Sequence, residues 1–446
     1  MTKSMERVLI GDLKAHIGSS VLINGWVSVR RDQGKMVFFD VRDRSGTIQG
    51  VVLPKSEAIT VAKETNVESA VAMTGIVNQR PEKNVVADKQ NGDIELQIEG
   101  IEILNAAHTL PFELDVELNL DTHLDNLPLT LKSERTRQIF VMQSTILDEY
   151  RNSLKRRGFT EFVAPAIVGG DAEGGAAVFK LEYFKEQAAY LATSPQFYKQ
   201  IMTGAFERAF TIAKVFRAEK SATTRHISEI TQMDFEMGFI KDEREVMKEL
   251  QTTIQEVVSA VGEKHASVFS TFNTEIPLAP AEFPVFTLQE AQAIVAKEFG
   301  RAIEDANDMS PEDERQICEY AKEKFDSDFV FITRFPTAQR AFYTYEDPAE
   351  APLSRGFDLL FRGLEINSGA QRIHDYDSLI ARIKERGMDP EKFSYYLQTF
   401  KYGIPPHGGC STGLERFTGR MLNLINIKES TAFPRDMTRI DGKLSE

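Results

Sequence analysis

Between residues 19 and 53 apolar and polar side chains alternate (SSVLINGWVSVRR, then KMVFFDVRDRSGTIQGVVL), a period of two that suits a strand with one buried face. Gly25, Gly34 and Gly46 stand at turn-like positions. The pattern returns in AVAMTGIVNQRP and DIELQIEGIEIL, with a helix predicted over SEAITVAKE. About five short strands in the first 105 residues predict a small Greek-key barrel of the OB type, and a generic sandwich fits the same pattern.

At 446 residues the chain exceeds the size of one ordinary core, so a second domain is expected. Residues 106–132, with two prolines and little periodicity, read as a linker. From Ser133, a plausible N-cap, SERTRQIFVMQSTILDEYRNSLKRR has helical spacing. GFTEFVAPAIVGG reads as a strand that Pro165 confines to an edge or an interface. Strands in AAYLAT, KVFR, ITQMDFEMGFI and DFVFITRF alternate with helices through to the end of the chain, and residues 276–327 read as a helical insertion. Residues 133–446 therefore predict an α+β domain, an antiparallel sheet flanked by helices.

The net charge is −14, which argues against a generally basic nucleic-acid-binding surface. Residues 1–105 are nearly balanced, with 13 Lys plus Arg against 14 Asp plus Glu, so a local basic face there remains compatible. Cys318 and Cys410 are the only cysteines, too few for a disulfide framework or a CxxC metal site. No window approaches the ~18 apolar residues of a membrane span, and the N-terminus has no apolar leader pattern. A cytoplasmic protein with no membrane partner is expected.

The densest chemistry lies in KVFRAEKSATTRHISEITQMDFEM, residues 214–237. Arg217 and Glu219 are two apart, as are Asp234 and Glu236, so each pair shares a strand face. A small, cationic loop joins them. Two strands presenting fixed charges to one side, with a basic loop above, suit an anionic nucleotide; a hairpin with a charged solvent face fits the same residues.

FRAE, TTRH and DFEM resemble motif 2 of the class II aminoacyl-tRNA synthetases. GLERF at 413–417 resembles motif 3, and the strand around Pro165 resembles motif 1. SPQFYKQ, EGGAAVF, SGAQRIHD, YGIPPHGG and FPRD are similar to aspartyl-tRNA synthetases of the archaeal and eukaryotic type, over essentially the whole chain. The resemblance implies an ATP-dependent ligase: L-aspartate attacks the α-phosphate of ATP, and the aspartyl group passes from the adenylate to the 3' end of tRNA(Asp), and in some relatives of tRNA(Asn). It also implies a homodimer with Pro165 at the two-fold axis.

The same resemblance assigns residues. Arg217 would hold the α-phosphate, where a planar fork serves two acceptors, and Arg416 the γ-phosphate. Glu219 would read adenine, with Arg225 and His226 toward the γ-phosphate. Asp358 and Glu365 would hold Mg2+, a hard ion that takes oxygen ligands. Glu173, Gln196, Lys199, Asp234, Ser368 and Arg372 would surround aspartate, Lys199 and Arg372 meeting its side-chain carboxylate. In the barrel Phe38, Gln49 and Glu95 would read the anticodon by stacking and base-edge hydrogen bonds, with Arg30 and Arg31 on the backbone.

Ile230 stands where many relatives carry an aromatic ring, and Cys410 and Ser411 where they often carry glycine. Two other readings stay open: an asparaginyl enzyme, for which RFP at 334–336 speaks, and a relative that binds without charging tRNA. Pro81 resembles a proline of enzymes that charge both tRNAs, whereas Ser28 lacks the accompanying histidine.

Overall fold

The computed structural model describes residues 5–87, 89–170, 177–220 and 223–440. Two compact units divide between Glu113 and Leu114. In the first, β1 (Ser20–Asp32), β2 (Val37–Arg42), β3 (Thr47–Val52), β4 (Ala70–Gln79) and β5 (Ile94–Asn105) close into a barrel in the order β1-β2-β3-β5-β4. The sandwich alternative is thereby excluded. Alternation sends Val37, Phe39 and Val41 into the core and leaves Phe38 and Asp40 on the outer face. Gly25 lies inside β1 rather than at a turn. A Cβ there would come within 2.4 Å of the Arg42 carbonyl oxygen, so the residue permits a close strand approach.

The stretch read as a linker is not uniformly irregular. It contains the helices Leu120–Asp125 and Leu127–Thr130, the first capped by Asn119, whose side chain accepts from the Thr122 amide. Such short helices carry too few residues to display a period.

The second unit contains β6 (Thr160–Glu161), β7 (Ile167–Val168), β8 (Lys180–Glu182), β9 (Ala188–Leu191), β10 (Arg208–Phe216), β11 (Glu229–Gly238), β12 (Val285–Thr287), β13 (Phe329–Thr333), β14 (Gly356–Phe361), β15 (Glu365–Gln371) and β16 (His407–Gly413). Eight of them form one sheet, β12-β13-β14-β15-β16-β11-β10-β6, and β7-β9-β8 form a smaller one. The large sheet is mixed, which corrects the expectation of a wholly antiparallel one. Its centre is antiparallel, but β12 pairs with β13 and β6 with β10 in parallel. Each parallel pair is joined by a long crossover, as parallel pairing requires.

The expected insertion is one of these crossovers. Its helices Leu288–Phe299 and Pro311–Phe325 pack Leu288, Val295, Ile317 and Ala321 against Val330, Ile332 and Leu360 of the sheet. The helices Glu134–Arg156, capped by Ser133 as expected, and Glu243–Thr271 cover one face of the sheet. Ile139, Ile146, Leu250 and Ile254 join Phe210, Phe235 and Phe357 in one core, each such side chain contributing roughly 1.5–3 kcal/mol by burial. The opposite face carries the crossover helices at its β13–β14 end and the site beyond them. Pro165 lies in irregular backbone between β6 and β7, and beside it Val163 is 95% exposed.

Candidate active site

Strand register lines up the floor. Asp358 of β14 pairs with Ser368 of β15, Ser368 with Ser411 of β16, and Ser411 with Asp234 of β11. Paired residues share a face, so four functional groups form one row across four strands. The next row brings Ala370, Gly409 and Glu236 together. Above lies a cleft of about 390 Å³, lined among others by Gln196, Lys199, Arg217, Glu219, Arg225, His226, Ile230, Glu365, Ser368, Arg372, Ser411 and Arg416.

One end of the floor is a buried lattice of charge. Lys199 reaches in from the helix Gln196–Phe206, its Nζ 2.8 Å from Asp234 and 3.0 Å from the Cys410 carbonyl oxygen. Glu236 is 3.6 Å away. Arg372 donates Nε to Glu236 at 2.9 Å and Nη2 to the Gly409 carbonyl at 2.9 Å and Gln196 Oε1 at 3.4 Å. Among the described residues its Nη1 enters none of these bonds. Ser411 donates to Asp234 at 2.7 Å. Burial alone would raise the Glu236 carboxyl, but Arg372 and Lys199 beside it hold it below its ordinary value. Gly409 makes room for this pairing: a Cβ would meet Glu236 Oε2 at 2.2 Å.

His407 lies beneath, its Nδ1 2.9 Å from the Pro405 carbonyl oxygen and its Nε2 2.8 Å from Gln200 Nε2. The consistent tautomer donates from Nδ1 and accepts at Nε2. Burial pushes this imidazole down to about 4.

The other end is less complete. Among the described residues the buried Arg217 Nε has no hydrogen-bond partner, and the side chain lines the cleft. Arg416, in the first turn of the helix Leu414–Met421, donates to the Glu365 carbonyl oxygen at 2.9 Å and stands 3.6 Å from its carboxylate. Its neighbour Glu415 is buried and turned away, accepting from the Thr231 amide at 3.1 and 3.0 Å. Glu219 and His226 are 4.0 Å apart at the rim. Arg225 pairs with Glu314 of the crossover helix at 3.2 Å.

Glu365 is raised above its ordinary value, first by burial and then by Asp358, with Arg416, Arg340 and Arg217 opposing. Burial and Glu365 push Glu314 up to about 7. Carboxylates that raise one another at this end would suit a divalent cation that relieved them. Among the described residues no three acidic, His or Cys groups converge, which suits Mg2+ completed by phosphate oxygens and water rather than a protein cage.

Sequence reasoning missed Arg340. It grips Asp358 with both nitrogens, at 3.0 and 2.7 Å, donates to Ser368 at 3.1 Å and lies 3.8 Å over the Phe335 ring. Asp358 is therefore committed to an arginine, and only Glu365 of the two expected metal ligands lines the cleft. Asp234 lies wholly buried behind Lys199. Glu173 lies outside the described residues. Cys410 points into the core, so of the two altered positions only Ser411 faces the cleft.

In the barrel, Phe38, Gln49 and Glu95 are half-buried outer-face residues of β2, β3 and β5, which are successive in the sheet. Arg80, unremarked in the sequence, donates to Gln49 at 2.9 Å and lies 3.6 Å from Glu95. Arg30 turns instead to the carbonyls of Lys63 and Thr65, and Arg31 to Asp40 at 2.8 Å.

Residues 119–437 match the family of class II tRNA synthetases (D, K and N), and residues 21–104 the OB-fold nucleic acid binding domain. The chain is 41% identical to the aspartate–tRNA(Asp/Asn) ligase of Thermus thermophilus, over 97% of its own length and 99% of the relative's. It is 37% identical to the aspartate–tRNA(Asp) ligase of Thermococcus kodakarensis, over 95% and 96%. The solved asparaginyl-tRNA synthetase from Pyrococcus horikoshii complexed with asparaginyl-adenylate matches with a TM-score of 0.90 at 30% identity, over 98% of this chain and 99% of that one.

Proposed function

The chain belongs to the class II tRNA synthetases (D, K and N), and from that membership we propose that it is an aspartate–tRNA ligase, activating L-aspartate with ATP and esterifying the 3' end of tRNA(Asp). The observation that carries the amino-acid choice is the cationic pair Lys199 and Arg372 at the buried floor, with Arg372 Nη1 uncommitted. A substrate carboxylate completes that set. An asparagine carboxamide brings no charge to it and forgoes the charge-assisted bond to Arg372, roughly 1.5–3 kcal/mol. Relatives named aspartate ligases, at 41% and 37% identity over nearly the whole chain, agree with this reading.

The geometry supports catalysis by positioning and electrostatics, without a side-chain nucleophile. Arg217 offers its unpartnered Nε and fork to the α-phosphate and the attacking α-carboxylate, steadying charge as the P–O bond to pyrophosphate breaks. Arg416 and Arg225 take the terminal phosphates, Glu219 the adenine edge, while Ile227 and Ile230 cover the base with aliphatic surface. Gln196 and Ser368 flank the amino acid, with Glu173 assigned to its ammonium group by the family pattern. Glu365, with Asp358 behind it, would hold Mg2+, which supplies charge neutralisation to the phosphates when bound. Phe38 stacks on an anticodon base while Gln49 and Glu95, braced by Arg80, read base edges.

Among the described residues no helix is long and apolar enough to cross a membrane, and a cytoplasmic homodimer completes the proposal. The exposed Val163 and Ile167 beside Pro165 give that dimer an apolar contact. A second reading, that tRNA(Asn) is charged as well, is favoured by Pro81 and by the Thermus relative, whose name covers both tRNAs. Charging tRNA(Asp) and tRNA(Asn) side by side with labelled aspartate and asparagine tests both. Esterification of either tRNA with asparagine alone overturns the proposal.

A further inference from the structure

We infer that Glu314, supplied by the crossover helix Pro311–Phe325, is a positioning residue for nucleotide binding: it fixes Arg225 where the β- and γ-phosphates of ATP must lie. The inference rests on the ATP site just described. Glu314 belongs to a segment that carries no motif, yet its side chain, 14% exposed, is 3.2 Å from Arg225 Nη1. Its carboxylate also lies beside the Glu365 main chain. Arg225 has one further hold, a weak contact of its Nη2 with the Gly363 carbonyl oxygen at 3.5 Å.

The helix that carries Glu314 is itself seated on the β14–β15 turn. Gly363 turns with φ of 79°, and a Cβ there would come within 3.1 Å of Arg315 Cα. Its amide meets the buried Cys318. One helix face thus fixes the start of β15, where Glu365 stands, and reaches across to the loop that holds Arg225. Arginine side chains carry large rotamer entropy, and a fixed carboxylate removes part of it before the ligand arrives. The triphosphate tail then meets an arginine already in place.

The test is equilibrium binding of ATP and of AMP to the full chain at about pH 8.5, where the Glu314 carboxyl is ionised, by calorimetry, for wild type, Glu314→Gln, Arg225→Ala and the double variant. Glutamine keeps the shape but loses the charge that holds Arg225. The expected result is an ATP affinity about tenfold weaker with AMP affinity unchanged, because AMP lacks the phosphates that Arg225 meets. In the Arg225→Ala background Glu314→Gln should weaken ATP by no more than about twofold. Glu314→Asp, which keeps the charge, should recover part of the loss and serves as the folded control if the glutamine variant does not fold. Equal weakening of ATP and AMP, additive losses, or unchanged ATP binding would overturn the inference. A wild type that binds ATP but does not activate aspartate would sink the amino-acid assignment and leave this test intact.

Discussion

At the floor of the cleft Lys199, Asp234, Glu236 and Arg372 are each 5% exposed or less and pair with one another, while at the end proposed for phosphate Arg217 keeps a buried Nε without a partner among the described residues and Glu365 sits beside a second carboxylate. The electrostatics differ in sign. Partners lower the Glu236 carboxyl at the floor, whereas burial and like charge raise Glu365 and Glu314 at the other end. The floor is held rigid by its own ion pairs with Arg372 Nη1 left over, so the amino acid proposed to bind there needs little reorganisation. The other end is electrostatically unfinished, which suits the polyanion and cation proposed for it.

This contrast can be broken most forcefully at the floor. Arg372→Met strips the partner from a buried Glu236 and should cost about 3–5 kcal/mol of stability in urea unfolding, with aspartate activation lost. Arg217→Ala should do the opposite. Exchange of label between pyrophosphate and ATP should fall by about 10²–10³-fold, while stability moves by less than about 0.5 kcal/mol because no internal bond is lost. An equal stability loss in both variants would erase the distinction between the two ends.

Acid sharpens the comparison. His407 is held neutral in the fold, down to about 4, while the unfolded chain takes up the proton near 6.5. The unfolded state therefore binds more protons between those values, and stability falls as the pH drops through that window. The loss is about 1.4 kcal/mol per pH unit and reaches about 2 kcal/mol by pH 5. Glu236, lowered in the fold, adds a loss below about 4.5. His407→Gln should flatten the slope of urea stability between pH 6.5 and 5; an unchanged slope would place the acid sensitivity elsewhere. The smallest effect is expected from Ser411→Gly, which removes one hydrogen bond to Asp234. It is worth about 1 kcal/mol, read as a several-fold rise in KM for aspartate with KM for ATP unmoved.

Much of this was legible because its signals are local. Period-two alternation separated Phe38 from Phe39 and closed the barrel, and two-residue spacing put Asp234 beside Glu236 on one face. The motif arginines sit within a few residues of their strand or helix ends, so short segments sufficed to find them. What escaped was created by register and crossover. Arg340 meets Asp358 18 positions away and Ser368 28 positions away, across strands whose pairing no segment encodes. Glu314 lies 89 residues from Arg225, on helices whose pattern spoke only of packing. The parallel edge strands were hidden likewise, since an isolated strand of two or three residues does not state its direction.

The most direct measurement is aspartate-dependent exchange of labelled pyrophosphate into ATP by the purified chain, without tRNA, with asparagine as the parallel substrate. Exchange supported by aspartate and reduced at least about a hundredfold with asparagine is the predicted result. Exchange supported equally or better by asparagine, or absent with both, would contradict the reading of Lys199 and Arg372 as the floor that selects the amino acid.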